Sequence, residues 1–198
     1  MKQNWEERYG SSDYVYGVEP NDYFRQELSK LKPGMLLLLG EGEGRNATFA
    51  SKNGWSVDAV DWSEEARNKA HRLSRSHNVI FNYIVADITQ YTPDTEKFDA
   101  VALIYIHLPE YERQELFKKI FNALKPGGKL ILEAFDIDQI KYKSGGPSSP
   151  DLLYSLEDIV ELCIDYNFDN FSKEVIQLSE GRLHKGDAAV IRFTGTKP

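Results

Sequence analysis

Residues 35–39 read Met-Leu-Leu-Leu-Leu, an unbroken apolar run between Pro33-Gly34 and Gly40. A half-buried strand alternates apolar with polar side chains, whereas a run with no polar position suits a strand covered on both faces. Strands of that kind sit inside parallel sheets, whose crossover helices pack on either side. The following segments keep to this pattern. "RNATFASKNG" predicts a helix ending near Gly54, and "WSVDAVD" (55–61) a second strand. Ser63 suits the N-cap of a helix over "EEARNKAHRLSRSH", with Glu64 and Glu65 in its first turn. "VIFNYIVAD" (79–87) and "FDAVALIYI" (98–106) read as strands three and four. "PEYERQELFKKIFNAL" (109–124) places Leu116, Ile120 and Leu124 on one helical face, "KPGG" (125–128) reads as a turn, and "KLILEAF" (129–135) is a fifth strand.

Beyond residue 135 the alternation stops. "KYKSGGPSSPD" (141–151) has loop composition. "SLEDIVELCIDY" (155–166) predicts a helix capped by Ser155, with Asp158 where a capping box carries its acid. "FSKEVIQLSEG" and "HKGDAAVIRFTG" predict a hairpin joined around Gly181 to Gly186. The expected fold is α/β: a doubly wound, mostly parallel sheet with an antiparallel terminal edge. One domain over 1–198 is expected. It comprises an N-terminal lid or helical segment (1–30), a ligand-binding core (33–135), and a substrate-side loop, helix and hairpin (136–198). Open sheets of this type bind ligands at the carboxyl ends of their strands.

Charge narrows the partners. With 24 Lys and Arg against 31 Asp and Glu the net charge is −7, which disfavours nucleic acid and anionic membrane as partners. The single cysteine, Cys163, forms no internal disulfide, and "MKQNWEERYG" lacks the apolar core of a signal peptide. A cytoplasmic protein without a membrane span is expected, as monomer or homodimer, with no metal.

The strand ends carry the chemistry. The first strand runs into Gly40-Glu41-Gly42-Glu43-Gly44, where glycines permit positive φ and close approach of a ligand to the backbone. A dinucleotide fingerprint requires its third glycine at 45, which is Arg, and no Gly-Lys-Ser/Thr follows to make a P-loop. Two glutamates also repel phosphate: at about 5 Å and an effective dielectric near 20, each pair of like charges costs on the order of 3 kcal/mol. Asp61, 21 residues beyond Gly40, can accept hydrogen bonds from both ribose hydroxyls. Asp87 can bond an exocyclic amine, with Ile88 packing on the base. Together these describe a pocket for a cationic, phosphate-free nucleoside, and S-adenosylmethionine is such a ligand.

Over roughly 33–135 the chain resembles the class I S-adenosylmethionine-dependent methyltransferases, through "LLLLGEGEGRN", "VDAVDWS", "VADI", "FDAVALIYIHLP" and "LKPGGKLILEAF". More narrowly it resembles the small tellurite-resistance and thiopurine-type methyltransferases, through "WEERYGSSDYVYGVEPN", the "GGP" loop at 145–147 and "GRLHKGDAAVIRF". The resemblance implies a seven-stranded sheet and transfer of a methyl group to a small-molecule acceptor such as a thiol or a selenium or tellurium oxyanion. It implies that Gly40, Glu41, Gly42 and Asn46 face the methionine part of the cofactor, that Asp61 faces the ribose, and that Trp62, Asp87 and Ile88 face the adenine. Ile104, within Leu103 to Tyr105, is expected near the sulfonium.

Many members of that family carry an acid two positions before the first loop glycine, where this chain has Leu38. Glu41 is expected to supply the missing charge, so that Glu41→Ala weakens cofactor binding and Glu43→Ala does not. His107, after the fourth strand, is a candidate base or acceptor-orienting group, with capping of the turn before Pro109 as the alternative. His184 is a second candidate, with Arg182 and Lys185 beside it either to hold an anion or as a solvated hairpin tip. His71 and His77 belong to the surface. Trp5, Tyr9, Tyr14 and Tyr16 are expected to form a lid that brings Tyr14 or Tyr16 to the site. A non-catalytic cofactor-binding protein, and a nicotinamide-dependent oxidoreductase, are the competing classes.

Overall fold

The computed structural model describes residues 2–198 and, for side chains, 5–198. Its strands are β1 (Met35–Leu39), β2 (Ser56–Asp61), β3 (Asn82–Val85), β4 (Phe98–Ile104), β5 (Leu124–Phe135), β6 (Asn167–Glu180) and β7 (His184–Thr196). The helices are α1 (Lys2–Tyr9), α2 (Asp22–Leu28), α3 (Arg45–Lys52), α4 (Glu64–Ser76), α5 (Glu110–Ala123) and α6 (Leu156–Leu162). The strands form one seven-stranded sheet in the order β3-β2-β1-β4-β5-β7-β6. Strands β1 to β5 pair in parallel, and β7 runs antiparallel to both β5 and β6.

The all-leucine strand explains the two layers. Leu37 and Leu39 pack into a cluster with Leu103, Leu116, Phe117 and Ile120, while Leu36 and Leu38 pack on the opposite face with Phe24, Ala47 and Ala50. All four leucines are buried, and each contributes roughly 2 kcal/mol through area removed from water. The caps fall where the sequence places them. Ser63 accepts from the Ala66 N–H (3.1 Å), and Ser155 and Asp158 form a reciprocal capping box (3.0 and 2.8 Å).

Several boundaries differ from expectation: α6 stops at Leu162, β4 at Ile104, and β6 begins at Asn167. β3 is shorter than 79–87, because Ile80 lies outside the ladder and is exposed. The expected turn at 125–128 is drawn into a longer β5: Gly127 N–H donates to Lys197 O (2.8 Å) and Lys197 N–H to Gly128 O (2.9 Å), so the C-terminal segment pairs with it. The hairpin turns over 181–183, and Gly186 lies within β7, paired to Leu178. Gly181 (φ +66°) is required there, since a Cβ would lie 2.3 Å from Val15 O. Among the described residues, no helix is long and apolar enough to cross a membrane.

Candidate active site

A cavity of about 540 Å³ opens at the carboxyl ends of β1, β2 and β4. Its walls include Gly40, Glu41, Gly42 and Asn46 from the first loop, Asp61 and Trp62 after β2, and Asp87 and Ile88 after β3. Ile104, His107, His184 and Tyr16 complete the set that the sequence singled out, so residues spread over 168 positions converge on one space. Sequence reasoning did not single out Arg8, Phe135, Pro147 and Leu152, which also line it. These side chains carry no local signal, because α1, the end of β5 and the 145–152 loop reach the cavity only through the tertiary fold.

The glycine loop has a steric cause. Gly40 has φ +66°, and a Cβ there would stand 2.0 Å from Ile106 Cδ1. Gly44 has φ +88°, and its Cβ would meet Ala70. The loop is held by Asp61, which accepts the Gly42 N–H at Oδ2 and the Ser63 N–H at Oδ1 (both 3.0 Å). Burial pushes the Asp61 carboxyl up to about 6. Asp87 Oδ1 accepts from Thr89 N and Oγ1 (2.9 and 2.8 Å), which fixes the turn that presents Ile88.

The two loop glutamates do different work. Glu41 Oε1 accepts the Ala47 N–H (2.8 Å) in the first turn of α3, where the helix dipole favours an anion. It also lines the cavity, and burial pushes its carboxyl up to about 8. Leu38 is 2% exposed in the apolar layer and does not line the cavity, whereas Glu41 and Glu43 both border it. The Glu43 carboxylate is committed elsewhere. Its Oε1 pairs with Lys69 Nζ (2.7 Å) and its Oε2 accepts the Val15 and Tyr16 N–H groups (2.8 and 3.3 Å). Glu43 therefore pins the segment that carries Tyr16, a role that its place in the glycine loop does not disclose.

The N-terminal aromatics lie over the opening. Trp5, Tyr9 and Tyr16 line the cavity, while Tyr14 donates instead to Lys69 O (3.0 Å). Glu6 docks α1 on the start of α4, accepting from Ser63 Oγ (2.8 Å) and Glu64 N–H (3.0 Å). Arg8 donates to Tyr16 Oη (2.9 Å) and lies 4.3 Å over the Trp5 ring.

The histidines separate by environment. His107 Nδ1 lies 2.8 Å from Leu152 O, and a carbonyl only accepts, so Nδ1 carries the proton. Its Nε2 faces the Phe135 N–H at 3.5 Å, and burial pulls the imidazole down to about 4, leaving it neutral and a weak base. His107 thus anchors the 150–152 turn rather than the turn before Pro109. His184, 5% exposed, stands among Tyr16, Tyr105 and Phe135 with centroids 4.5, 4.8 and 5.4 Å away. Its Nδ1 is 3.2 Å from Glu180 Oε2. Burial works against the Glu180 anion, but hydrogen bonds and charge from His184 and Arg45 hold its carboxyl at about 2. Ionised Glu180 accepts only, so the Nδ1 of His184 is the donor in this contact. Arg182 and Lys185 are exposed on the hairpin, outside the cavity, and do not complete an anion site with His184. His71 is only partly buried, packed edge-on against Tyr83, and His77 is exposed.

This sheet is the Rossmann-like fold of the class I methyltransferases. The methyltransferase-domain family model matches residues 36–128. The chain is 27% identical over 140 residues to a ubiquinone biosynthesis O-methyltransferase of Coxiella burnetii, covering 69% of this chain and 58% of that protein. It therefore spans less than two thirds of that relative's length. Among solved structures it is similar to the N-methyltransferase NodS of Bradyrhizobium japonicum in complex with S-adenosylhomocysteine, with TM-score 0.75 and 14% identity over 100% of this chain and 98% of that one. TehB of Haemophilus influenzae is similar at TM-score 0.73 and 14% identity, over 100% of this chain and 67% of that one. At these identities the structural likeness is one of fold.

Proposed function

We propose that this chain is an S-adenosylmethionine-dependent methyltransferase acting on a small, neutral thiol. The observation that carries the reading is the convergence of Asp61, Asp87 and Glu41 on one cavity beside a glycine loop without phosphate-binding cations. The methyltransferase-domain match and the named relatives support it. The cofactor is S-adenosylmethionine. Asp61 takes its ribose hydroxyls; Trp62, Asp87 and Ile88 its adenine; and Gly40, Gly42, Asn46 and Glu41 its methionine end. Ile104 borders the sulfonium, and Tyr16 covers it.

Charge on the acceptor side argues for the thiol over a selenium or tellurium oxyanion. An oxyanion calls for free fixed cations. Arg45 is ion-paired to Glu180 (2.9 Å) and Lys69 to Glu43, and Arg8 is held at the mouth by Tyr16 and Trp5, on the side of the N-terminal segment. The remaining wall is Tyr105, Phe135, Pro147, Leu152 and the two histidines. In the proposed step the thiol proton passes to His184 Nε2, the sulfur bonds to the methyl carbon, and the methyl–sulfonium pair returns to sulfur as S-adenosylhomocysteine is released. His107, weakly basic and bonded to Leu152, holds the wall in place.

The test is product formation by purified protein given S-adenosylmethionine with a panel of small thiols, selenite and tellurite, read by chromatography. S-adenosylhomocysteine forming with thiols is expected. Turnover of the oxyanions alone overturns the thiol assignment, and tight cofactor binding without product from any acceptor identifies a non-catalytic binder.

Cofactor affinity should follow a bell in pH. Glu41 must be ionised to pair with the cofactor's ammonium, and its raised pKa near 8 means that acid removes the charge. Above pH 8 the ligand's own α-amino group, with an ordinary pKa near 7.8, loses its proton. Between pH 8 and 6 the competent pair of protonation states falls roughly 20-fold by these values. Titration calorimetry of wild type should show that steep acid limb, and Glu41→Gln should lose it and keep only the shallower fall from Asp61, whose carboxyl burial pushes up to about 6.

A further inference from the structure

Asn21 lies outside the cavity and is 1% exposed, yet every polar group of its side chain is used. Its Oδ1 caps α2 by accepting the Phe24 N–H (2.9 Å). Its Nδ2 donates to two carboxylates at once, Glu133 Oε1 (2.6 Å) and Glu180 Oε1 (3.0 Å). Each carboxylate in turn holds a wall of the cavity. Glu133, fully buried on β5, accepts the Tyr105 hydroxyl (2.6 Å) and Arg192 Nε (2.6 Å). Glu180 holds His184 and Arg45. The backbone N–H of Asn21 donates separately to Asn46 Oδ1 (2.9 Å), on the cofactor side.

We infer that Asn21 is a positioning residue for the acceptor: its amide bridges Glu133 and Glu180 and so sets Tyr105 and His184 relative to each other. Two features make the position specific. Only an amide can accept at the helix cap while donating two N–H bonds to carboxylates; Asp here would add a third carboxylate to the pair. Tyr105 also has φ +55°, a left-handed conformation uncommon outside glycine, so its ring needs support from beyond its own strand. Tyr105 N–H donates to Glu133 O (2.8 Å) and its hydroxyl to Glu133 Oε1, and Asn21 fixes that carboxylate. Because the side chain serves the acceptor wall and the backbone serves Asn46, a substitution here should separate the two half-sites.

The inference rests on the methyltransferase reading of the cavity. The decisive variant is Asn21→Ser, which retains a capping oxygen and replaces the two amide N–H donors with one hydroxyl on a shorter side chain that cannot bridge both carboxylates; Asn21→Ala removes the cap as well. With the thiol acceptor, Asn21→Ser should lower kcat by about 30- to 100-fold, the penalty of misplacing reacting groups by about an ångström. Calorimetric affinity for S-adenosylhomocysteine should be unchanged. Wild-type turnover in Asn21→Ser reduces Asn21 to a helix cap and overturns the inference, as does loss of S-adenosylhomocysteine binding in step with turnover. Imidazole NMR of the free protein tests it without an acceptor. Asn21→Ser should displace the His184 resonances and leave His71 and His77 in place, and an unmoved His184 overturns the inference. If wild type methylates nothing on the panel while His184 moves, the thiol reading fails and the positioning role stands.

Discussion

Replacing Asp61 with Ala is expected to weaken S-adenosylhomocysteine binding by about 10²–10³-fold, roughly 3–4 kcal/mol, in titration calorimetry. The size follows from two losses. Asp61 clamps the glycine loop to the next helix through the Gly42 and Ser63 N–H groups, both buried bonds of 3.0 Å. A buried N–H left without an acceptor costs about 1–3 kcal/mol, and the loop relaxes to recover part of it. The ribose hydroxyls lose a charged acceptor on top of that, about 1.5–3 kcal/mol. Asp61→Asn keeps one carbonyl oxygen but turns an NH₂ toward one of the two backbone donors, so its loss should be intermediate. An affinity for Asp61→Ala within about threefold of wild type, less than 1 kcal/mol, removes Asp61 from the cofactor site.

That prediction uses a residue that the sequence exposed readily, and the reason is local. A strand covered on both faces ends where its apolar run ends, and ligands of open α/β sheets gather at those ends. Asp61 and the glycine loop follow such strands, and Asp87 follows the apolar end of the edge strand β3, so their convergence is readable along the chain. The caps at Ser63 and Ser155 are equally local, because a capping bond spans three residues. Long-range polar networks are not. Asn21 is 112 positions from Glu133 and 159 from Glu180, and each looks like a surface residue. One signal was present: Glu133 interrupts "LILEAF", and a charge within a doubly buried strand demands partners. The histidines show the same limit. His107 and His184 look alike along the chain, and only the structure shows the Leu152 carbonyl beside one and the Glu180 carboxylate beside the other.

Glu43 shows where local reading misled, and it carries the largest expected change in stability. Its pair with Lys69 has side chains 3% and 1% exposed. Lys69 Nζ also donates to Asp13 O (2.6 Å), so one buried charge pair gathers Asp13, Val15 and Tyr16 onto α4. Removing one partner strands the other in a dry site, and Glu43→Ala or Lys69→Ala should each cost about 3–5 kcal/mol in urea unfolding. For a chain of this size that is a fall in Tm of roughly 6–20 °C. The double variant should lose much less than the sum, because it leaves no orphaned charge, and the cycle then yields a large coupling energy. Near-additive losses would show that the two residues act separately. The segment itself gives a second readout. Freed from Glu43, residues 13–16 should become cleavable in limited proteolysis, and cofactor affinity should fall because Tyr16 leaves the wall. Asp61→Ala differs: it loses the ligand while residues 13–16 stay protected, since none of the bonds from Glu43 or Lys69 passes through Asp61. On the proposed reading the two glutamates of "GEGEG" have separable duties, Glu41 toward the ligand and Glu43 toward the segment that carries Tyr16.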